Sequence, residues 1–347
     1  MQAGTSTTVR LGAVIAVFVM AAAMLTSGAP AHAQTSDSTI VSEWNALAIA
    51  VPMGPLEAMG NVALMHIAIY DAVVTVEGRF EPFAYNGARN PNASAEAAAA
   101  TAAHRAVLTL LPALTADADA LYASHMAAIP DGAAKTEGVV IGEAAAAAAV
   151  ALPLASQMTP GVPYTPRVQP GPDGKLPPGA WEPTSPTPPI ATWAPHATPL
   201  TFPSASQFRP GPPPALDSPE WVAAFNEVRD YGSATSTVRT QEQTDIGQYY
   251  SEQPAHQPHK SFRRFIAERN LDLVDSSRYL AMVSTGVTDA IIACFDAKYH
   301  YQFWRPIQSV RGDDGMPASA SIPPSARPTS TSFGPSIPRP TSPPLPC

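Results

Sequence analysis

Cysteine is nearly absent from this 347-residue sequence, with Cys294 and Cys347 the only two. That scarcity excludes a disulfide-stapled scaffold and any cysteine-based metal or redox motif. A bridge between the two is not expected, because Cys294 falls on the apolar face of a predicted helix and Cys347 is the last residue. Clustered positive charge is lacking as well. The formal net charge is -8 and no dense Lys/Arg stripe occurs, which excludes nucleic acid as a partner, since phosphate-backbone binding needs concentrated cations. Long apolar runs are missing after the first 33 residues. The alanine run Ala144–Ala149 is too short and too weakly hydrophobic, so no later segment is expected to span a bilayer. Hydrophobic periodicity is lacking after Pro317. Residues 318–347 are almost entirely Ser, Pro, Ala, Thr and Arg, and such a tail cannot offset its ordering entropy by burial.

What is present begins with an export signal. Arg10 precedes the uncharged stretch Leu11 to Leu25, and Ala31-His32-Ala33 supplies the small-x-small cleavage site. Residues 1–33 therefore read as a signal peptide, with a mature chain secreted or periplasmic and free of the membrane. Residues 34–152 read as a helical bundle. Leu56, Met59, Ala63, Ile67, Tyr70 and Val74 recur at helical steps after Pro55. Further helices are predicted from Asn92 or Ser94 to Pro112, from an N-cap at Thr115 to Ile129, and over Glu137–Leu152. Short loops between them predict antiparallel packing.

Much of the chain's 40-residue proline complement lies between Pro153 and Pro219, which excludes long helices there. Trp181, Trp193, Phe202 and Phe208 punctuate the segment, so residues 153–217 read as irregular chain wrapped over the bundle. Helices resume at Ser218-Pro219-Glu220-Trp221 and at a Thr240–Gln243 capping box, then near Phe262–Arg269. The last is predicted to be the strongest, capped by Asp275, with an apolar stripe of Leu280, Val283, Val287, Ala290, Ile291 and Cys294. Residues 218–317 thus read as a partial second bundle.

Chemistry concentrates between Lys298 and Arg305, seven residues apart. On a continuous helix they would share a face about 10 Å apart, and a bend before Pro306 would close that gap. A point charge beside a planar fork of donors suits a tetrahedral oxyanion. The alternative is a solvated lysine and an arginine paired with Asp296 or Asp313. His66 and His104 fall inside helical patterns and read as structural, and His300 reads as a packing residue. His256 and His259 flank Pro258, which is expected to break the helix that would align them, so no metal site is expected there.

The pattern Lys-x6-Arg-Pro, here Lys298 to Arg305-Pro306, resembles the first signature of the vanadium-dependent haloperoxidase and type 2 phosphatidic-acid phosphatase superfamily. Supporting segments are Ile69-Tyr70-Asp71-Ala72-Val73, Gly179-Ala180-Trp181-Glu182-Pro183-Thr184, Phe208-Arg209-Pro210, Arg239 to Thr244 and Thr288 to Ile292. Together they look like the secreted bacterial haloperoxidase-like branch, over roughly Trp44 to Pro317. The resemblance implies an all-α fold of helical bundles of the acid phosphatase/vanadium haloperoxidase type, with the second bundle incomplete here. It implies vanadate or phosphate held by Lys298 and Arg305, and peroxide and halide as small partners. Phosphomonoester hydrolysis at the same kind of pocket, or non-catalytic oxyanion binding, are the competing readings. The family's second and third signatures should follow Arg305, yet no histidine follows His300. The sequence is therefore expected to be truncated or frame-shifted after Pro317, to have no catalytic histidine and no metal-ligand set, to bind vanadate weakly or not at all, and to present an apolar face open to homo-dimer formation.

Overall fold

The computed structural model describes residues 38–50, 55–158, 162–174, 176–183, 188–251 and 256–311. The expected signal peptide and the tail after Pro317 lie outside the described residues. Among those described there is no β-strand, and helices dominate.

The first helix, α1 (Ser38–Ile49), was not anticipated from the sequence, although Val41, Trp44 and Ala48 recur at helical steps and are fully buried. Helix α2 (Pro55–Glu77) is apolar nearly all round and has neighbours on every side, as such a composition requires. α3 (Ala95–Leu110) starts at Ser94, whose hydroxyl accepts from the Ala97 N–H at 3.1 Å. α4 (Thr115–Ala128) packs against α3, and α5 (Ala133–Val150) against both α2 and α3.

Two boundaries differ from expectation for local reasons. Thr115 is not a cap. The 3-10 turn Pro112–Leu114 runs straight into α4, and the Thr115 hydroxyl donates to the Pro112 carbonyl instead. α5 starts four residues before Glu137 because Gly132, at φ 154°, turns the chain into the helix.

Helices α3 and α5 cross where alanine meets glycine. A Cβ on Gly142 would sit 2.5 Å from the Ala98 carbonyl oxygen and 2.7 Å from the Thr101 Cβ. Only a missing side chain permits that approach.

After α6 (Pro153–Gln157) the described residues of the proline-rich chain up to residue 218 are irregular, apart from a 3-10 turn at Ala194–His196. Trp193, nearly fully buried, anchors it by donating its indole N–H to Glu57 at 2.9 Å. α7 (Pro219–Gly232) is capped by Ser218, and α8 (Gln241–Tyr249) carries the complete Thr240–Gln243 capping box.

α9 (His256–Arg269) corrects the expectation for Pro258. The proline sits in the first turn, where its missing N–H costs nothing, and the helix runs through it. α10 (Leu273–Tyr301) is capped by Asp272, which accepts from the Asp275 N–H at 2.8 Å, so Asp275 is a first-turn residue and not the cap. α11 (Pro306–Arg311) follows.

The buried face of α10 is rotated from the predicted stripe. Leu280, Ala281, Ser284, Thr285, Thr288, Asp289, Ile292 and Asp296 face inward, whereas Ala290 and Cys294 are exposed and Val283, Val287 and Ile291 half-buried. Hydroxyls pack inward because α2 offers close contact and a carbonyl partner. The Thr288 hydroxyl donates to the Met59 carbonyl at 3.2 Å.

The segments read as separate bundles share one core: Ile266, Leu273, Val274 and Leu280 join the cluster built on α1, α2, α3 and α5. The expectation about bilayer-length segments also needs correction. Leu56–Glu77 and Leu273–Tyr301 are both long and apolar enough to cross a membrane by length and composition, with 94% and 44% of their apolar windows buried within the protein. Valine, isoleucine and methionine spread among small residues reach that hydropathy without any long uninterrupted run.

Candidate functional site

Lys298 lies in the last turn of α10 and Arg305 just beyond its end, and three features fold the chain back between them. First, Gln302 adopts a left-handed conformation (φ 45°, ψ 44°), its N–H donating to the Lys298 carbonyl. Second, the Gln302 side chain accepts from the Tyr164 hydroxyl at 3.1 Å and the Arg167 N–H at 2.7 Å, and donates to the Thr165 carbonyl at 3.1 Å. Third, residues 302–304 pair with 179–181. Trp181 N–H donates to the Gln302 carbonyl at 2.8 Å and Trp304 N–H to that of Gly179 at 2.9 Å. Gly179 has φ 88°, a conformation that favours glycine at this turn. The bend expected before Pro306 is therefore real, and it needs the proline-rich segment as its partner.

The product is a shared aromatic floor. The Lys298 ammonium lies 5.0 Å from the centre of the Trp181 ring, and the Arg305 guanidinium carbon 5.9 Å from the same ring. Phe295 and Tyr299 add rings 4.6 and 4.8 Å from the ammonium. Tyr164 and Tyr299 brace Trp181 edge-on at 5.0 and 6.1 Å.

Burial, and then the positive charge of Arg305, push the Lys298 ammonium down to about 8. The facing π-clouds act in the opposite sense, since they stabilise the cation. Tyr299 is pushed up to about 12, chiefly by burial, and its hydroxyl donates to the Ile190 carbonyl at 2.5 Å. It is a bound, protonated phenol and no candidate base at neutral pH.

Buried carboxylates fix the chain around α10 and the neighbouring bundle. Asp296, one of the two partners considered for Arg305, is engaged instead by Arg209 through two bonds of 2.7 and 2.8 Å. Asp313 lies outside the described residues. Asp289 accepts from the N–H groups of Leu200 and Thr201 at 2.7 and 2.8 Å and from the Thr201 hydroxyl. Asp71 gathers the N–H groups of Phe83, Ala84 and Tyr85 at 2.6 to 2.8 Å, while burial pushes its carboxyl above the usual range. A buried aspartate in an apolar helical pattern was the available signal, because such a group must find donors.

The histidines are dispersed. His66 and His259 meet through Asn45, far along the chain from Lys298. His104 stacks on Tyr122 at 4.3 Å and bonds Asp119 at 2.7 Å. His300, expected to be packed, is exposed and edge-on to Tyr301 at 4.7 Å, because the left-handed cap at Gln302 ends the helix there. Among the described residues no group of three or more His, Cys, Asp or Glu side chains could hold a metal ion.

The residues present suit the oxygens of an oxyanion. Two cations share one aromatic floor, and the Trp181 indole N–H is a buried donor without a hydrogen-bond partner. A histidine able to ligate vanadium does not accompany them among the described residues. A cleft of about 510 Å³, lined by Tyr164, Trp181, Leu216 and Phe303 among others, opens beside the floor, though neither cation lines it.

Residues 278–319, which include both cations, match the family model of the VCPO second helical-bundle domain. A search of curated proteins found no match. Among solved structures, a bacterial vanadium-dependent iodoperoxidase aligns with a TM-score of 0.59 at 20% identity, over 80% of this chain and 71% of its own. A bacterial vanadium-dependent chloroperoxidase in its holo form aligns with a TM-score of 0.57 at 15% identity, over 82% of this chain and 69% of its own. The helical fold is that of the vanadium haloperoxidases, and the match to their second-bundle domain falls on residues 278–319.

Proposed function

We propose that this haloperoxidase-like chain binds a tetrahedral oxyanion, vanadate by likeness to its relatives, on Lys298 and Arg305, and that the sequence as it stands does not turn over. The convergence of both cations on Trp181, inside the segment that matches the haloperoxidase domain, carries the reading. Lys298 supplies a point charge, and Arg305 a fork able to span two oxygens. The Trp181 N–H would add a neutral donor. Phe295 and Tyr299 keep water from the ammonium, so each contact acts in a medium where charge is poorly screened.

Bound vanadate would supply the chemistry by which peroxide oxidises halide. This chain's part would be to hold and orient the anion's oxygens. Moving protons needs a further group, and general acid–base catalysis alone is typically worth about 10²–10⁴-fold. No histidine occurs between Arg305 and Cys347, so that stretch supplies neither a histidine ligand to vanadium nor a histidine proton carrier. The same lack argues against phosphomonoester hydrolysis by a histidine nucleophile. Export through residues 1–33 belongs to the proposal too, and N-terminal sequencing should place the mature start near Gln34.

Titration of the purified protein with orthovanadate, followed by vanadium NMR, tests the binding. Weak affinity that disappears in both Lys298→Ala and Arg305→Ala is the expected result, and micromolar affinity surviving both would place the site elsewhere. Monochlorodimedone halogenation and p-nitrophenyl phosphate hydrolysis should both stay at background. Turnover of either at an enzymatic rate would overturn the inactivity.

A further inference from the structure

Three consecutive residues of α1 meet four of the chain's eight histidines. Asn45, fully buried, donates its amide N–H groups to His66 Nε2 of α2 at 2.8 Å and to His259 Nδ1 of α9 at 2.9 Å. Trp44 lies 6.3 Å from the His104 ring of α3 and 6.2 Å from the His125 ring of α4. The Glu43 carboxylate is 3.3 Å from His125 Nε2. Through these contacts α1 ties the first bundle to α9.

The polarity of the Asn45 contacts is fixed. Arg263 Nη1 donates to Asn45 Oδ1 at 2.6 Å, so the amide cannot turn over without setting its NH2 group against a guanidinium. Both imidazoles must then present a lone pair to Asn45, which makes them neutral, with the ring hydrogen on the opposite nitrogen. A second proton has one place to go on each ring, the nitrogen that Asn45 already donates to. Protonation would therefore set N–H against N–H beside the Arg263 cation, and break the contact.

We propose that α1 is an acid-released staple: protonation of His66 and His259 undocks Ser38–Ile49 from α2, α4 and α9 while the other helices stay folded. The surrounding charges agree with this. Burial, then His259 and Arg263, hold His66 well below the usual histidine range. On α1 the only ionisable side chain is Glu43, and on α9 Lys260 is exposed. His104 bonds the Asp119 carboxylate of α4 and His125 faces the Glu43 carboxylate of α1, so neither ring takes part. On α10, which also packs against α1, Asp275 and Arg278 are turned to Arg79 and Phe80. Because the docked histidines resist protonation, the staple is fully held above their undocked pKa, about 6.5. It weakens as pH falls below that value.

Hydrogen exchange at about pH 7.5 and about pH 5.5, corrected for the intrinsic rate, reads this directly. Protection over 38–49 should fall about tenfold per pH unit below 6.5 for each histidine engaged, while α3 and α5 hold theirs. Unchanged protection of α1, or an equal loss in every helix, would overturn the proposal in the unmodified protein alone. Asn45→Asp should reverse the sign, because a carboxylate accepts from protonated imidazoles. A variant that loses α1 protection on acidification as the parent does would equally overturn it.

Discussion

The α3–α5 contact and the docking of the proline-rich chain on α10 solve the same problem by opposite means. The first is dry and nearly side-chain-free, with alanine and glycine letting two backbones approach until a single methyl would collide with a carbonyl. The second joins an irregular strap to a helix through directional bonds from Asp289, Asp296 and Gln302. Close packing needs periodicity and small residues. An aperiodic strap has no ladder of its own to satisfy its N–H groups, so carboxylates must accept from them. The proposed oxyanion site stands on the second kind of contact, since its floor, Trp181, belongs to the strap.

If that contrast is right, damage at the two places should look different. Gly142→Val should be the most costly change, lowering global stability by about 3 kcal/mol or more, at the upper end of overpacking. Chemical denaturation with an unchanged slope would measure it, and a loss below about 1 kcal/mol would show that the crossing can give way. Asp289→Ala should cost about 2 kcal/mol, because it orphans the Leu200 and Thr201 N–H groups. Its hydrogen-exchange signature should be confined to the strap around 190–205, and a uniform rise across α3 and α5 would erase the distinction.

At the site itself, stability and binding should part company. Lys298→Ala and Arg305→Ala should each shift unfolding by less than about 1 kcal/mol. Each should weaken oxyanion binding about tenfold or more, the worth of one charge-assisted contact. The smallest effect concerns pH. Lys298 is charged below about 8, so affinity for sulfate, whose own charge is constant there, should be flat at lower pH and decline as pH rises through that value. A decline beginning only above pH 10 would mean that the ammonium is not perturbed.

The sequence was legible where local rules act alone. Ser94, Ser218 and the Thr240–Gln243 box cap their helices with the predicted bonds, because a cap needs only residues three apart. It misled both over where a helix begins and over which face a distant partner covers. Asp275 looked like a cap until Asp272 proved one turn better placed, and Pro258 looked like a breaker although the helix had only just begun. The predicted stripe on α10 ignored hydroxyls, which pack inward when a neighbouring backbone supplies an acceptor.

By itself the sequence determined the helical class, the proline-rich interruption, and the identity of the two cations, since composition, period and short spacing are properties of the chain alone. Whether Lys298 and Arg305 meet was decided only in three dimensions. Their approach depends on a left-handed Gln302, a turn at Gly179 and a tryptophan more than a hundred residues upstream, and no local preference ranks such a pairing. The fate of the histidines was decided there too. A buried imidazole takes its role from whichever donors the folded chain brings to it, here one asparagine fixed by an arginine.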